Sequence, residues 1–374
     1  MSTKLRVAVV GAGVGVKHAE AFRALPEQFE LVAVAAAHED RARAFAQRFE
    51  VPSATIDLTD LCGRADLDVI DLCTPPFQHF AQVQQALAAG KHVICEKPLV
   101  GSLKETDELV AAERQSGRRI MPIFQYRFGH GLQKLKLLVD HGVAGRAYLT
   151  TVETAWRRRT EYYAVPWRGK WATELGGTLI THAIHAHDLV SYVLGPFRSV
   201  FARTATRVHV MEVEDCAAIS IEMADGSLAS LSVTVGSAEQ ISRHRFCFSN
   251  LSAESHTAPY TNTTDPWKIT PDTPEAAESI RATLADYWPL PEGFAGQFSR
   301  FHQALETGNE LPVTLQDARD SIELLTAIYT SAQTGRPVEL PIGPDDPAYA
   351  GWCPRWGRET SRRQPVARGA LDAK

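Results

Sequence analysis

The 374-residue chain is long enough for two domains, each with its own core. Its composition is ordinary for a globular protein, and a net charge of −5 offers no general attraction to nucleic acid or an anionic membrane surface. No segment approaches the ~20 apolar residues that span a bilayer, so neither nucleic acid nor membrane is expected as a partner. The N-terminal residues run straight into a strand, so no signal peptide is expected. The six cysteines (Cys62, Cys73, Cys95, Cys216, Cys247, Cys353) show no CxxC pairing and no zinc-ligand spacing. They read as small hydrophobes in a reducing cytoplasm, which is the expected location.

Leu5–Val10 reads as a parallel core strand, followed at once by Gly11-Ala12-Gly13-Val14-Gly15-Val16-Lys17-His18. A helix then carries Ala21, Phe22 and Leu25 on one face. In a strand, glycine turn and helix, backbone N–H groups and the helix N-terminus hold a pyrophosphate. Gly11 allows the tight turn, and Gly13 lets the backbone approach the phosphates. The third glycine of GxGxxG belongs at position 16, but Val16 stands there, with Val14 and Gly15 before it.

The alternation continues through a second apolar run at 31–35 and a helix at 41–49. Val69–Cys73 is the next strand and ends in Thr74-Pro75-Pro76; its helix stops at Gly90. A strand at 92–95, a helix at 103–116 and a strand at 120–124 complete the pattern. Strands alternating with helices predict a doubly wound parallel Rossmann sheet over residues 1–128. A dinucleotide site usually has an acid at the end of the second strand for the ribose 2′-OH. Here that end reads Ala35-Ala36-Ala37-His38, and Glu39 and Asp40 arrive late. Ala36 removes a repulsion against a 2′-phosphate, and His38, Arg41 or Arg43 can approach one. The cofactor is therefore NAD or NADP, with a lean to NADP.

The strand at 92–95 runs into Glu96-Lys97-Pro98-Leu99. In an open α/β sheet, ligands bind outside the carboxyl ends of the strands. Lys97 is thus a ligand-facing amine, while Pro98 reads equally well as a helix start. His79 and Gln125 belong to the same strand-end level and are counted with the cofactor site. Tyr126 and Arg127 are placed to reach the cleft.

Residues 129–340 predict an α+β domain with an open, largely antiparallel sheet. Runs at 146–156, 199–208, 219–223, 229–235 and 245–248 are strand-like, and Asp225-Gly226 marks a hairpin. The sheet face rich in Ser and Thr is left for solvent or a second subunit. Phe294, Phe298, Phe301 and Leu305 form one helical stripe, and Thr314 with Asp317 caps a second helix. Ser252–Pro274 reads as an irregular loop. Residues 341–374, which include Arg362-Arg363-Gln364-Pro365, read as a flexible tail or an arm onto a neighbour.

After Gly176-Gly177, helical spacing puts Thr181, His185 and Asp188 on one face. If that face meets the Lys97 strand end, an amine and an imidazole flank one substrate hydroxyl. A neutral imidazole suits proton removal near pH 7, and the amine suits a developing alkoxide. The plain alternative for His185 is a helix histidine bonded to a carbonyl. His182, His185 and Asp188 are also metal-ligand types, but the stretch lacks HExxH, and no metal is expected. The runs Trp156-Arg157-Arg158-Arg159, Tyr162-Tyr163 and Trp167–Trp171, with Trp156, Tyr163, Trp167 and Arg168 counted at the site, offer aromatic faces and hydrogen-bond donors for a polyol, or guanidinium groups for a carboxylate or phosphate. At least half of these aromatics are expected to be core instead.

GAGVGVKH at 11–18, CTPP at 73–76, CEKPL at 95–99 and GGTLITHAIHAHD at 176–188 together resemble the Gfo/Idh/MocA oxidoreductases, as does the pattern at 312–337. The resemblance covers residues 5–340. It implies that Thr74, Pro75, Glu96 and Lys97 line the nicotinamide side, that Lys97 is catalytic, and that His185 and Asp188 fit the second motif. Thr181 stands where that motif often has a catalytic Asp. The resemblance also implies a homodimer or homotetramer built through the C-terminal sheet. The expected activity is hydride transfer between nicotinamide and a secondary hydroxyl of a sugar, glycoside, sugar acid or cyclitol. Lys97 would polarise the hydroxyl and His185 would act as acid/base, with His182 or Thr181 tuning it. Two alternatives stand beside it: an NAD-dependent glycosidase working through transient C3 oxidation, and a non-catalytic NAD(P)-binding sugar sensor.

Overall fold

Short apolar runs buried on both faces build the first sheet of the computed structural model, which describes residues 4–353. Its strands are β1 (Leu5–Val10), β2 (Phe29–Ala35), β3 (Ala54–Thr55), β4 (Val69–Leu72), β5 (His92–Cys95) and β6 (Ile120–Pro122). They run parallel in the order β3-β2-β1-β4-β5-β6. The order reverses between β1 and β4, so the loops after these strands open a crevice at their carboxyl ends. The glycine turn and Thr74-Pro75-Pro76 lie there.

The second sheet holds β7 (Ala147–Arg157), β8 (Phe197–Ala205), β9 (Cys216–Met223), β10 (Leu228–Thr234), β11 (Gly236–Phe248), β12 (Leu251–Glu254), β13 (Lys268–Pro271) and β14 (Val338–Glu339). Their order is β13-β12-β11-β7-β10-β9-β8-β14. The pairs are antiparallel except β10 with β7. Asp225-Gly226 turns β9 into β10, with Gly226 at φ 84° and the Ser227 N–H bonded to Asp225 Oδ1 at 2.9 Å.

Two helices tie the sheets together. Helix Gly293–Thr307 returns to the first sheet, where Phe298 stacks on Phe22 with ring centroids 4.3 Å apart. Gln297 accepts from the Phe124 N–H at 3.2 Å and donates to the Pro122 carbonyl at 2.7 Å. Helix Leu315–Thr334 starts in a capping box of Thr314 and Asp317 and ends at Gly335, φ 70°. It packs on β8.

Two expectations are corrected. Ser252–Pro274 is not one irregular loop: it contains most of β12 and all of β13, and only the chain between them is irregular. The first part of the expected tail, residues 341–353, packs down because it carries apolar and aromatic side chains. Ile342 and Trp352 are buried, the Trp352 indole donates to the Leu175 carbonyl at 2.6 Å, and the Tyr349 hydroxyl donates to Asp107 at 2.6 Å. The Arg362–Pro365 run lies outside the described residues.

Candidate active site

The glycine turn is held by a close backbone approach. Gly11 has φ 112°, and a Cβ there would stand 2.4 Å from the Cys73 carbonyl oxygen. Helix Gly15–Arg23 begins directly after, so its first N–H groups face the crevice. Behind the turn lies a buried ionic chain. His18 Nδ1 sits 2.9 Å from Asp71 Oδ2, and His18 Nε2 sits 3.2 Å from Glu96 Oε1. The other Glu96 oxygen accepts the Lys97 backbone N–H at 3.1 Å. Burial opposes charge on His18, but Asp71 raises the imidazole well above its ordinary value, so it stays an imidazolium. Cys73 lies 3.3 Å from His18 Nδ1, and burial pushes its thiol up to about 12. These ligand-type atoms, within 4.8 Å of one another, hydrogen-bond among themselves.

Lys97 then reaches across to the second domain, where its Nζ donates to the Thr181 carbonyl at 2.9 Å. Thr181 lies in a π-helical turn, Leu179–Ala183, that precedes helix Ile184–Leu194. The turn is pinned by Glu214, whose carboxylate accepts the N–H groups of Gly177 and Leu179, each at 3.0 Å. The Thr181 hydroxyl donates to the Gly177 carbonyl at 2.9 Å and lies 2.6 Å from His182 Nδ1. Arg158 Nε donates to His182 Nε2 at 2.9 Å. An arginine can only donate, so Nε2 accepts and Nδ1 carries the proton towards the Thr181 oxygen. Burial first, then Arg158, Lys97 and Arg168, hold His182 well below its ordinary pKa. It is neutral. His185 is stacked on Tyr126 at 4.7 Å and meets the Phe124 edge at 6.2 Å, which fixes its ring plane.

All of this opens on one cavity of about 700 Å³. Gly13, Val14, Lys17 and Pro76 line its cofactor end; Glu96, Lys97, Thr181, His182 and His185 lie between the domains. Trp156, Arg158, Tyr162, Arg168 and Tyr260 line the far wall.

Two family models match: "Oxidoreductase family, NAD-binding Rossmann fold" over residues 5–124 and "GFO/IDH/MocA C-terminal domain" over residues 132–250. Together they cover well over half of the chain. This chain belongs to the GFO/IDH/MocA oxidoreductase family. An uncharacterized oxidoreductase YrbE of Bacillus subtilis is 24% identical over 91% of this chain and 98% of its own. D-glucoside 3-dehydrogenase of Escherichia coli is 34% identical, over 52% of this chain and 55% of that protein. The WlbA dehydrogenase of Bordetella pertussis, solved with NADH and UDP-GlcNAcA, superposes with a TM-score of 0.80 at 27% identity. That superposition covers 91% of this chain and all of WlbA.

For a GFO/IDH/MocA oxidoreductase, the site fits a dinucleotide: a side chain on Gly11 would collide with Cys73, and Gly13 and Val14 border the cavity below a helix N-terminus. Gln125 and Tyr126 line the same cavity. Ala36 is buried beyond β2 and His38 is exposed at the start of helix Glu39–Phe49.

Other expected site residues are not among those that line the cavity. Arg127 is buried and donates to both Asp188 oxygens, at 2.8 and 2.6 Å, and to Asp317 at 2.8 Å. Burial works against its charge, but the two carboxylates raise its pKa further. Arg127 and Asp188 therefore form an internal ion cluster and do not line the cavity, and Asp188 does not converge with His182 and His185. His79 is a buried clip, its ring nitrogens each 2.8 Å from the carbonyls of Thr74 and Pro98. Thr74 is buried with its hydroxyl on Gln82 at 2.6 Å, and Pro75 is also buried. Trp167 is core, and Tyr163 packs against His209 at 4.6 Å rather than lining the cavity. Trp156 and Arg168 line the far wall, as do Arg158 and Tyr162 from the same Arg- and aromatic-rich runs, whereas Tyr260 has no local motif to announce it. The mixture of Arg and aromatic residues at 156–163 was the one available signal for Arg158.

Proposed function

We propose that this chain is an NAD(P)-dependent dehydrogenase acting on a secondary hydroxyl of a sugar, glycoside, sugar acid or cyclitol. The observation that carries the reading is a single cavity bordered by Gly13 and Val14, Lys97 and His185. A bound nicotinamide would supply the hydride acceptor. Lys97, held by the Thr181 carbonyl and anchored through its backbone to Glu96, orients the hydroxyl and stabilises developing alkoxide charge. His185, its ring fixed against Tyr126, takes the hydroxyl proton. Thr181 acts through Lys97 and His182. Its hydroxyl keeps its proton near neutral pH and donates it in a hydrogen bond to the Gly177 carbonyl, so it cannot replace a carboxylate as a base.

We infer a preference for NADP over NAD, because Ala36 offers no acid to a ribose 2′-OH and Glu39 is paired with Arg43. We also infer a homodimer or homotetramer through the outer face of the second sheet, where Leu149, Phe201 and Leu228 are exposed. Sedimentation measures this directly; a monomer at micromolar concentration would overturn it.

The test is formation of reduced cofactor from a panel of sugars and glycosides, with NAD and NADP assayed separately. Lys97→Ala and His185→Ala should each lower kcat/KM by about 10²- to 10⁴-fold while cofactor binding survives. Turnover unaffected in both variants would overturn the mechanism. Aglycone release without net cofactor reduction would favour a glycosidase, and binding without turnover a sensor. Activity with NAD alone would remove the inferred NADP preference.

A further inference from the structure

We propose that the cavity is built for an acidic sugar, a pyranose carrying a carboxylate, and that Arg158 selects it. The inference rests on the dehydrogenase reading and narrows its substrate. A polar wall runs from the Lys97 amine through the Thr181 carbonyl and hydroxyl to His182, and from His182 to the Arg158 guanidinium. Its bonds are 2.9, 2.6 and 2.9 Å long. The group that holds the reacting hydroxyl and a second cation are thus joined by two residues along one wall. They flank a substrate from two directions.

The charges around the cavity do not balance at Arg158. Arg168 is paired with buried Glu174 at 3.2 Å, Lys17 with Glu20 at 2.9 Å, and Glu96 with His18. Glu292 is engaged by the His130 N–H at 2.6 Å. Arg158 pairs with no carboxylate among the described residues. Its donors go to neutral acceptors: His182 Nε2, the Arg157 carbonyl, Gln240 Oε1 and the Tyr260 hydroxyl. A guanidinium has five N–H donors, and these bonds leave one on Nη2.

The surroundings make that charge matter. The guanidinium carbon lies 5.1 Å from the Trp156 ring centre, 5.3 Å from Tyr162 and 5.8 Å from Tyr260. Aromatic walls lower the local dielectric and strengthen attraction for an anion. His182 cannot compete as a cation, because it is held neutral between Arg158 and Thr181. A neutral sugar leaves the guanidinium facing hydroxyls alone, whereas a carboxylate adds a charge-assisted hydrogen bond. At the far wall Arg158 is the cation that no carboxylate among the described residues pairs, with one N–H to spare, which matches a monoanionic carboxylate better than a phosphate dianion.

The experiment compares D-glucuronate, D-glucose and glucose 6-phosphate in two readouts: binding by calorimetry with reduced cofactor present, and turnover with NAD and NADP. Glucuronate should bind at least about 10-fold more tightly than glucose and have the highest kcat/KM. Arg158→Gln should lower the ratio of kcat/KM for glucuronate to kcat/KM for glucose about 10- to 100-fold, chiefly through KM for glucuronate. Arg158→Lys should recover part of the loss. Circular dichroism and a melting curve check that both variants fold. Equal binding of glucose and glucuronate, or an unchanged preference in a folded Arg158→Gln protein, overturns the inference while the dehydrogenase reading stands. Preference for glucose 6-phosphate overturns the carboxylate in favour of a phosphate. Cofactor binding with turnover of none of the three, and of no sugar in the wider panel, overturns the dehydrogenase reading and this inference with it.

Discussion

His18 shows how one buried residue can connect the cofactor turn to the reactive lysine. It enters with the glycine turn, yet its partners are Asp71 on β4 and Glu96 after β5. Phe294 covers its ring with centroids 4.5 Å apart. Replacing it with alanine would leave two buried carboxylates without a countercharge. His18→Ala should therefore cost about 3–5 kcal/mol in urea unfolding. A loss below about 1 kcal/mol would mean that the chain is not ionic. The sequence makes Gly11, Lys97 and His185 recognisable because each belongs to a local pattern. Arg127 and Asp188 misled for the opposite reason. Helical spacing says which residues share a face, but not which neighbour that face meets.

The π-helical turn Leu179–Ala183 sets the direction of the side chains that follow it. Thr181, His182 and His185 line the cavity, whereas Asp188, expected on the same face, turns to Arg127. His185 and Asp188 both lie in the regular helix Ile184–Leu194, so they diverge because Asp188 sits nearly one turn further along, where Arg127 meets it. The turn depends on contact with the chain before β9: a Cβ on Gly177 would stand 1.8 Å from the Glu214 carbonyl oxygen. Gly177→Ala should accordingly lower stability by about 2 kcal/mol or more and remove cofactor reduction. A stable, fully active variant would show that the turn does not position the site. The hairpin at Asp225-Gly226 and the cap at Thr314 were readable because both are short-range. The strands hidden in Ser252–Pro274 were not, since their ladders form with partners far away in sequence or separated by the irregular chain.

Buried histidines connect the site to the stability of the molecule. Burial lowers His187 to about 3 and His244 to about 4, and His182, also under the field of nearby cations, lies well below 6.5. Their folded-state pKa values are depressed, so these residues favour folding above the unfolded value near 6.5. Below it, the unfolded chain binds three protons that the folded chain refuses. Stability should then fall by about 4 kcal/mol per pH unit from these three groups. His18 has the opposite sign: its contribution is full below 6.5 and is lost only as pH rises through its elevated folded value. Urea unfolding at pH about 7 and about 5.5 measures the difference, and His187→Leu should reduce the slope by one proton. No loss between the two pH values would contradict the neutral state of these histidines.

The strand–helix alternation and the glycine turn made the first half of the fold legible. Apolar periodicity and backbone freedom act over a few residues and leave a local imprint. The same holds for the Glu96-Lys97-Pro98 strand end. The far wall leaves only part of such an imprint: the Arg- and aromatic-rich runs at 156–168 are visible, but not which of their members face the cavity. Arg158 follows β7, His182 sits in the π-helical turn and Tyr260 lies between β12 and β13. These residues meet only through the packing of the two sheets. Which charges are neutralised, and which face the cavity, follows from distances between segments far apart in the chain.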